Sequence, residues 1–63
     1  MSWTRPADDV YLGWLSTCED HTDGMTPWEQ SFIESIRDQV DRGRRLSDDQ
    51  IKTLDKIYSE KTP

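Results

Sequence analysis

The sequence predicts an all-α fold, a small three-helix domain, on three observations. Apolar residues recur three and four positions apart in three separate segments, and no segment alternates as a strand does. Two of those segments open on complete capping boxes. The chain has 63 residues, a size at which folding buries only about 60% of the surface exposed in the unfolded chain, so a single domain with one compact core is expected.

The first helix is expected over residues 6–18. Val10, Tyr11, Trp14, Leu15 and Cys18 fall on one helical face, Thr4 is placed to cap, and Pro6 suits a first turn. Asp8 and Asp9 add negative charge where the helix dipole favours it. Gly13 costs about 1 kcal/mol against Ala in mid-helix, which a close backbone approach there would justify. Residues 19–24, EDHTDG, read as a polar loop.

The second helix is expected over residues 27–42. Thr26 caps it, Pro27 takes the first helical position and Glu29 closes the capping box. Trp28, Phe32, Ile33, Ile36 and Val40 form an apolar stripe, with Glu29, Glu34, Asp38 and Asp41 away from it. Gly43 stops the helix after Arg42. The third helix, residues 48–60, follows a second box from Ser47 and Gln50, with Leu46 stapling against Ile51. Ile51, Leu54, Ile57 and Tyr58 give its apolar face, and Asp48 with Lys52 and Lys56 with Glu60 lie four apart outside it. The short turn at Gly43-Arg44-Arg45 predicts an antiparallel hairpin of the second and third helices.

Composition narrows the function. Apolar residues are 32% and charged residues 33%, close to the range of disordered chains, and three Trp, two Tyr and one Phe restore the capacity for a core. A net charge of −5 disfavours direct binding to nucleic acid or anionic membrane and favours a basic partner. No stretch approaches the roughly 20 apolar residues of a membrane span, and no secretory leader is evident. Cys18, a lone cysteine, permits no intrachain disulfide and fits a reducing compartment, so a cytoplasmic location is expected.

Catalytic chemistry finds few candidates. Cys18 and His21 are half of a zinc-binding pattern that nothing completes, so no metal or other cofactor is expected, and packing explains Cys18 while solvation explains His21. The carboxylate pairs Asp8-Asp9, Glu19-Asp20 and Asp48-Asp49 are adjacent, which on a helix turns them about 100° apart. No phosphate loop or nucleophile elbow is present. A non-enzymatic protein is expected; a small hydrolase or metalloprotein would require Cys18, His21 and carboxylates to converge.

Charge is polarised along the chain. Residues 1–41 hold nine acids and two bases, a balance of −7, and residues 42–63 hold four acids and six bases, a balance of +2. Glu34, Asp38 and Asp41 form a row with spacings of about 6 and 4.5 Å along the helix axis, of the order of phosphate spacing on a DNA strand. Such a row suits a groove of Arg and Lys built for a nucleic-acid backbone; a solvated acidic face that keeps a small protein in solution is the plainer reading. Arg42, Arg44 and Arg45 form the opposing basic cluster, suited to phosphate or an acidic protein, although arginines at a helix C-terminus are more often dipole partners and ion-pair donors to neighbours such as Asp38 and Asp41. Among the tryptophans, Trp3 lies outside the helical periodicities and is expected to be exposed or in an interface.

The string MTPWEQSFIESI at residues 25–36, continued by Arg42-Gly43-Arg44-Arg45-Leu46-Ser47, Gln50-Ile51, Leu54 and Ile57-Tyr58, resembles a helical-hairpin module of small phage and prophage proteins. That resemblance spans residues 25–58 and implies genomic context rather than chemistry. In size and charge the chain is also similar to the anti-CRISPR proteins, several of which imitate DNA and block effector complexes, including type I Cascade. The resulting expectation is a phage-encoded inhibitor in the bacterial cytoplasm that competes with DNA for a basic, nucleic-acid-binding protein. Its partner-binding residues would be Asp8, Asp9, Glu19, Asp20, Asp23, Glu34, Asp38 and Asp41, with Trp3 as apolar anchor. The alternative is an accessory helical module that docks on a phage replication or recombination enzyme through Arg42–Arg45. Spare aromatic residues leave monomer and homodimer both open.

Overall fold

A computed structural model describes residues 3–61, which form α1 (Asp8–Asp20), a short 3₁₀ turn (Thr22–Gly24), α2 (Pro27–Asp41) and α3 (Asp48–Lys61). No strand occurs among the described residues. The all-α, three-helix reading therefore stands.

Both capping boxes close as their residue types require. The Thr26 N–H donates to Glu29 Oε1 at 2.9 Å and the Glu29 N–H to Thr26 Oγ1 at 3.2 Å. At α3 the Ser47 N–H donates to Gln50 Oε1 at 2.9 Å and the Gln50 N–H to Ser47 Oγ at 3.2 Å. The end of α2 is a Schellman turn: the Gly43 N–H reaches the Val40 carbonyl and the Arg44 N–H the Gln39 carbonyl, with Gly43 at φ 74°. An L side chain at that φ would cost about 1 kcal/mol.

The start of α1 departs from expectation. The helix begins at Asp8 with Ala7 in the cap position and no side-chain cap, so neither Thr4 nor Pro6 plays the expected part. The reason is local and tertiary together. Pro6 disfavours a helical Arg5, and the extended segment is then held across α3. Arg5 donates to Asp48 Oδ1 at 2.8 Å and to the Leu46 carbonyl at 2.9 Å, while its guanidinium lies 5.9 Å from the Tyr11 ring centre. The Lys52 ammonium sits 5.1 Å from the centre of the Trp3 ring, which packs half-buried against the core. Asp48 and Lys52, expected to pair with each other, serve these longer-range contacts instead.

The other end of α1 runs two residues further than expected, through Glu19 and Asp20, before the 3₁₀ turn. The remaining boundaries shift by one: α2 ends at Asp41 with Arg42 as its cap, and α3 reaches Lys61.

The core is Tyr11, Leu15, Cys18, Met25, Ile33, Ile36, Leu46, Ile51, Leu54 and Ile57, drawn from all three helices and the residues that precede α2 and α3. Trp14 stacks on Tyr58 at 5.7 Å between ring centres, tying α1 to α3. That pair of helices makes the most extensive contact, and α2 and α3, consecutive across the short turn, touch least. The N-terminal helix is thus the centre of the packing and not an addition to a hairpin.

Two expected core residues lie outside. Val10 is 43% exposed and Trp28 is 63% exposed. At about 100° per residue Trp28 stands about 140° around α2 from Ile33, too far to share its buried face.

Gly13 shows no close approach, since a Cβ built there meets nothing within 4 Å. Gly13→Ala should therefore stabilise the helix by about 0.5–1 kcal/mol, raising the midpoint of a thermal melt by about 2–8 °C. An unchanged or lowered midpoint would show that Gly13 serves something other than helix geometry.

Candidate functional site

The surface offers exposed charge and three open recesses among the described residues. Glu19, near the end of α1, faces Arg37 on α2 and accepts from both Nε, at 3.0 Å, and Nη2. This two-pronged pair, with both side chains about one-third exposed, fixes the α1–α2 corner and contributes about 1 kcal/mol. The Glu19 hydrogen bond, opposed by burial and helped by the Glu19 and Asp41 charges, holds the Arg37 guanidinium above its ordinary pKa.

The row on α2 is largely neutralised. Asp38 pairs with Arg42 at 3.0 Å and Asp41 lies 3.9 Å from Arg37, both within the helix. Glu34 alone of the three has no ion pair among the described residues. A continuous phosphate-like row of Glu34, Asp38 and Asp41 is therefore not what the surface presents.

A different grouping replaces it. Glu19, Thr22, Gln30, Ile33, Glu34 and Arg37 line an open recess of about 330 Å³ where α1 ends beside α2. Gln30 Nε2 closes this corner by donating to the Thr22 and Met25 carbonyls, each at 3.1 Å. Asp20 and Asp23, neighbours in sequence of the lining residues Glu19 and Thr22, are exposed and carry no ion pair among the described residues. Asp20, Asp23 and Glu34 are thus exposed carboxylates without ion pairs near the α1–α2 corner, and of the three only Glu34 lines the recess.

Asp8 and Asp9 belong to the opposite end of α1, about 18 Å away along the helix axis. Asp8 shares an open recess of about 450 Å³ with Tyr11, Leu12, Val40, Gly43, Arg44 and Arg45. Burial first, then the Asp8 hydrogen bond and charge, raise the Tyr11 hydroxyl pKa, with Arg5 opposing. Acid and base are mixed here, so Asp8 and Asp9 stand apart from those three carboxylates. Arg44 and Arg45 are exposed and without an ion pair among the described residues, whereas Arg42 is paired.

Trp3, expected to be the apolar anchor, is committed to the core edge and Lys52. The exposed tryptophan is Trp28, stacked on Phe32 at 5.5 Å. Sequence could have signalled this, because Trp28 sits about 110° from the centre of the Ile33, Ile36 and Val40 face.

Cys18 and His21 do not converge. Cys18 is fully buried, and burial together with the Glu19 charge pushes its thiol up to about 11. His21 Nδ1 donates to the Thr17 carbonyl at 2.8 Å, since a carbonyl can only accept. Among the described residues no three His, Cys, Asp or Glu side chains gather as metal ligands, and no helix is long and apolar enough to cross a membrane.

No family model, curated protein or solved structure matches this chain.

Proposed function

We propose that this chain is a non-enzymatic inhibitor, phage-encoded and of the anti-CRISPR kind, that binds a basic, nucleic-acid-binding protein and keeps DNA from it. The observation that supports the reading is that Asp20, Asp23 and Glu34 are exposed carboxylates without ion pairs among the described residues, carried by the end of α1, the turn after it and α2, where Glu19 and Arg37 brace the α1–α2 corner. Carboxylates held on a rigid frame meet Arg and Lys side chains without first breaking internal pairs, which favours both encounter and specificity. Asp38 and Asp41 are secondary contributors, because their exposed pairs to Arg42 and Arg37 are worth little and can be exchanged for a partner's cations.

The test is binding of the purified protein to a type I CRISPR effector complex in the presence and absence of target DNA. Binding that DNA displaces is expected. Binding that DNA leaves untouched, or none, removes the mimicry reading.

A second reading has its own support in Arg44 and Arg45. Exposed at the turn between α2 and α3 and unpaired among the described residues, they suit docking of the module on an acidic surface of a replication or recombination enzyme. Under that reading Arg44→Ala and Arg45→Ala abolish binding while Asp20, Asp23 and Glu34 tolerate neutralisation.

A further inference from the structure

Trp28 is the most exposed large apolar side chain among the described residues, at 63%, and Phe32 is stacked behind it. Beside it, between the start of α2 and the end of α3, lies an open recess of about 550 Å³ floored by the buried Ile57. Tryptophan beside a recess of this kind is the residue type that most often dominates an interface. What covers it is indicated by the charges around it.

The rim carries Glu29 and Glu60 against Lys56 and Lys61, a balance of zero on a chain whose net charge is −5. Lys61 and Glu29 satisfy each other across α2 and α3 at 3.6 Å. Lys56 and Glu60, one turn apart on α3, are exposed and form no ion pair among the described residues. A strongly basic or acidic partner finds no complement in this rim. A second copy can supply one, because Lys56 and Glu60 are exposed, of opposite sign and on the same rim, so a two-fold axis allows each to meet its opposite on the other copy with Trp28 against the other copy's recess.

We infer that the Trp28 recess is an isologous homodimer interface, with Trp28 as its anchor and Lys56 and Glu60 as its reciprocal ion pairs. The inference is independent of the proposed inhibitory activity. Sedimentation equilibrium over a concentration series rising to about 1 mM tests it, and a mass climbing from 7.4 kDa toward twice that value is expected. Trp28→Ala should weaken the association at least about tenfold with an unchanged helical circular-dichroism spectrum.

Charge exchange adds a readout that loss of folding cannot imitate. Lys56→Glu alone and Glu60→Lys alone should each associate less than the wild type, and an equimolar mixture of the two should restore the dimer as a heterodimer. A mass that stays monomeric for the wild type at every concentration overturns the inference. So does a dimer that survives Trp28→Ala, or a mixture that associates no better than its components.

Discussion

Leu15→Ala removes on the order of half of the domain's stability. Leu15 is fully buried on α1, the helix on which the other two pack. Truncating a buried leucine costs about 2–5 kcal/mol in lost transfer energy and unfilled cavity. At about 0.05–0.15 kcal/mol per residue a chain of this length has only about 3–9 kcal/mol in all, so the loss takes about half of it. Cys18, one turn along the same face, provides the readout. In the wild type its burial and its thiol, pushed up to about 11, slow reaction with a thiol reagent; in Leu15→Ala labelling should be at least about tenfold faster, as the open population grows with the lost stability. Val10→Ala, on the same helix at 43% exposure, is the control and should change stability by no more than about 0.5 kcal/mol. A Leu15→Ala protein that melts cooperatively within about 1 kcal/mol of the wild type would show that α1 is not central to the core.

The exposed carboxylates near the α1–α2 corner set the second expectation. Asp20→Asn, Asp23→Asn and Glu34→Gln together should weaken binding to the basic partner about tenfold, at about 0.5 kcal/mol for each exposed ion pair lost at the interface. The effect has to be local and not a consequence of net charge. Asp9→Asn, Asp49→Asn and Asp55→Asn remove the same three charges elsewhere, taking the chain from −5 to −2 in both cases, and should change affinity less than about twofold. Isothermal titration of both triple variants separates the two causes. Equal losses would mean that the partner senses only overall charge.

What the sequence made legible follows the range of the interactions. The starts of α2 and α3 were readable because a capping box is complete within four residues, and the Schellman turn because Gly43 announces it. The apolar faces were readable from period alone for Tyr11, Leu15, Cys18, Ile33, Ile36, Ile51, Leu54 and Ile57. The N-terminal segment was not, because Arg5 finds Asp48 and Leu46 more than forty residues away. That crossing also carries Trp3 to Lys52 and the core edge, whereas Trp28 is exposed because of its angular position on α2. The acidic surface was half legible: the Asp38–Arg42 pair is four residues apart and visible in sequence, whereas Glu19–Arg37 depends on how α1 meets α2. Position along the chain groups Asp8 and Asp9 with the other acids, whereas the fold sets them at the far end of α1.

Binding through exposed, unpaired carboxylates near the α1–α2 corner, as proposed, is read most directly by salt. The measurement is the affinity of the wild-type protein for a type I CRISPR effector between about 50 and about 300 mM salt, a range over which the screening length falls by more than half. Affinity should fall at least about tenfold across it, and the corner triple variant should lose most of that dependence. Affinity that stays flat across the series, in wild type and variant alike, would contradict the account and transfer the binding to an apolar surface.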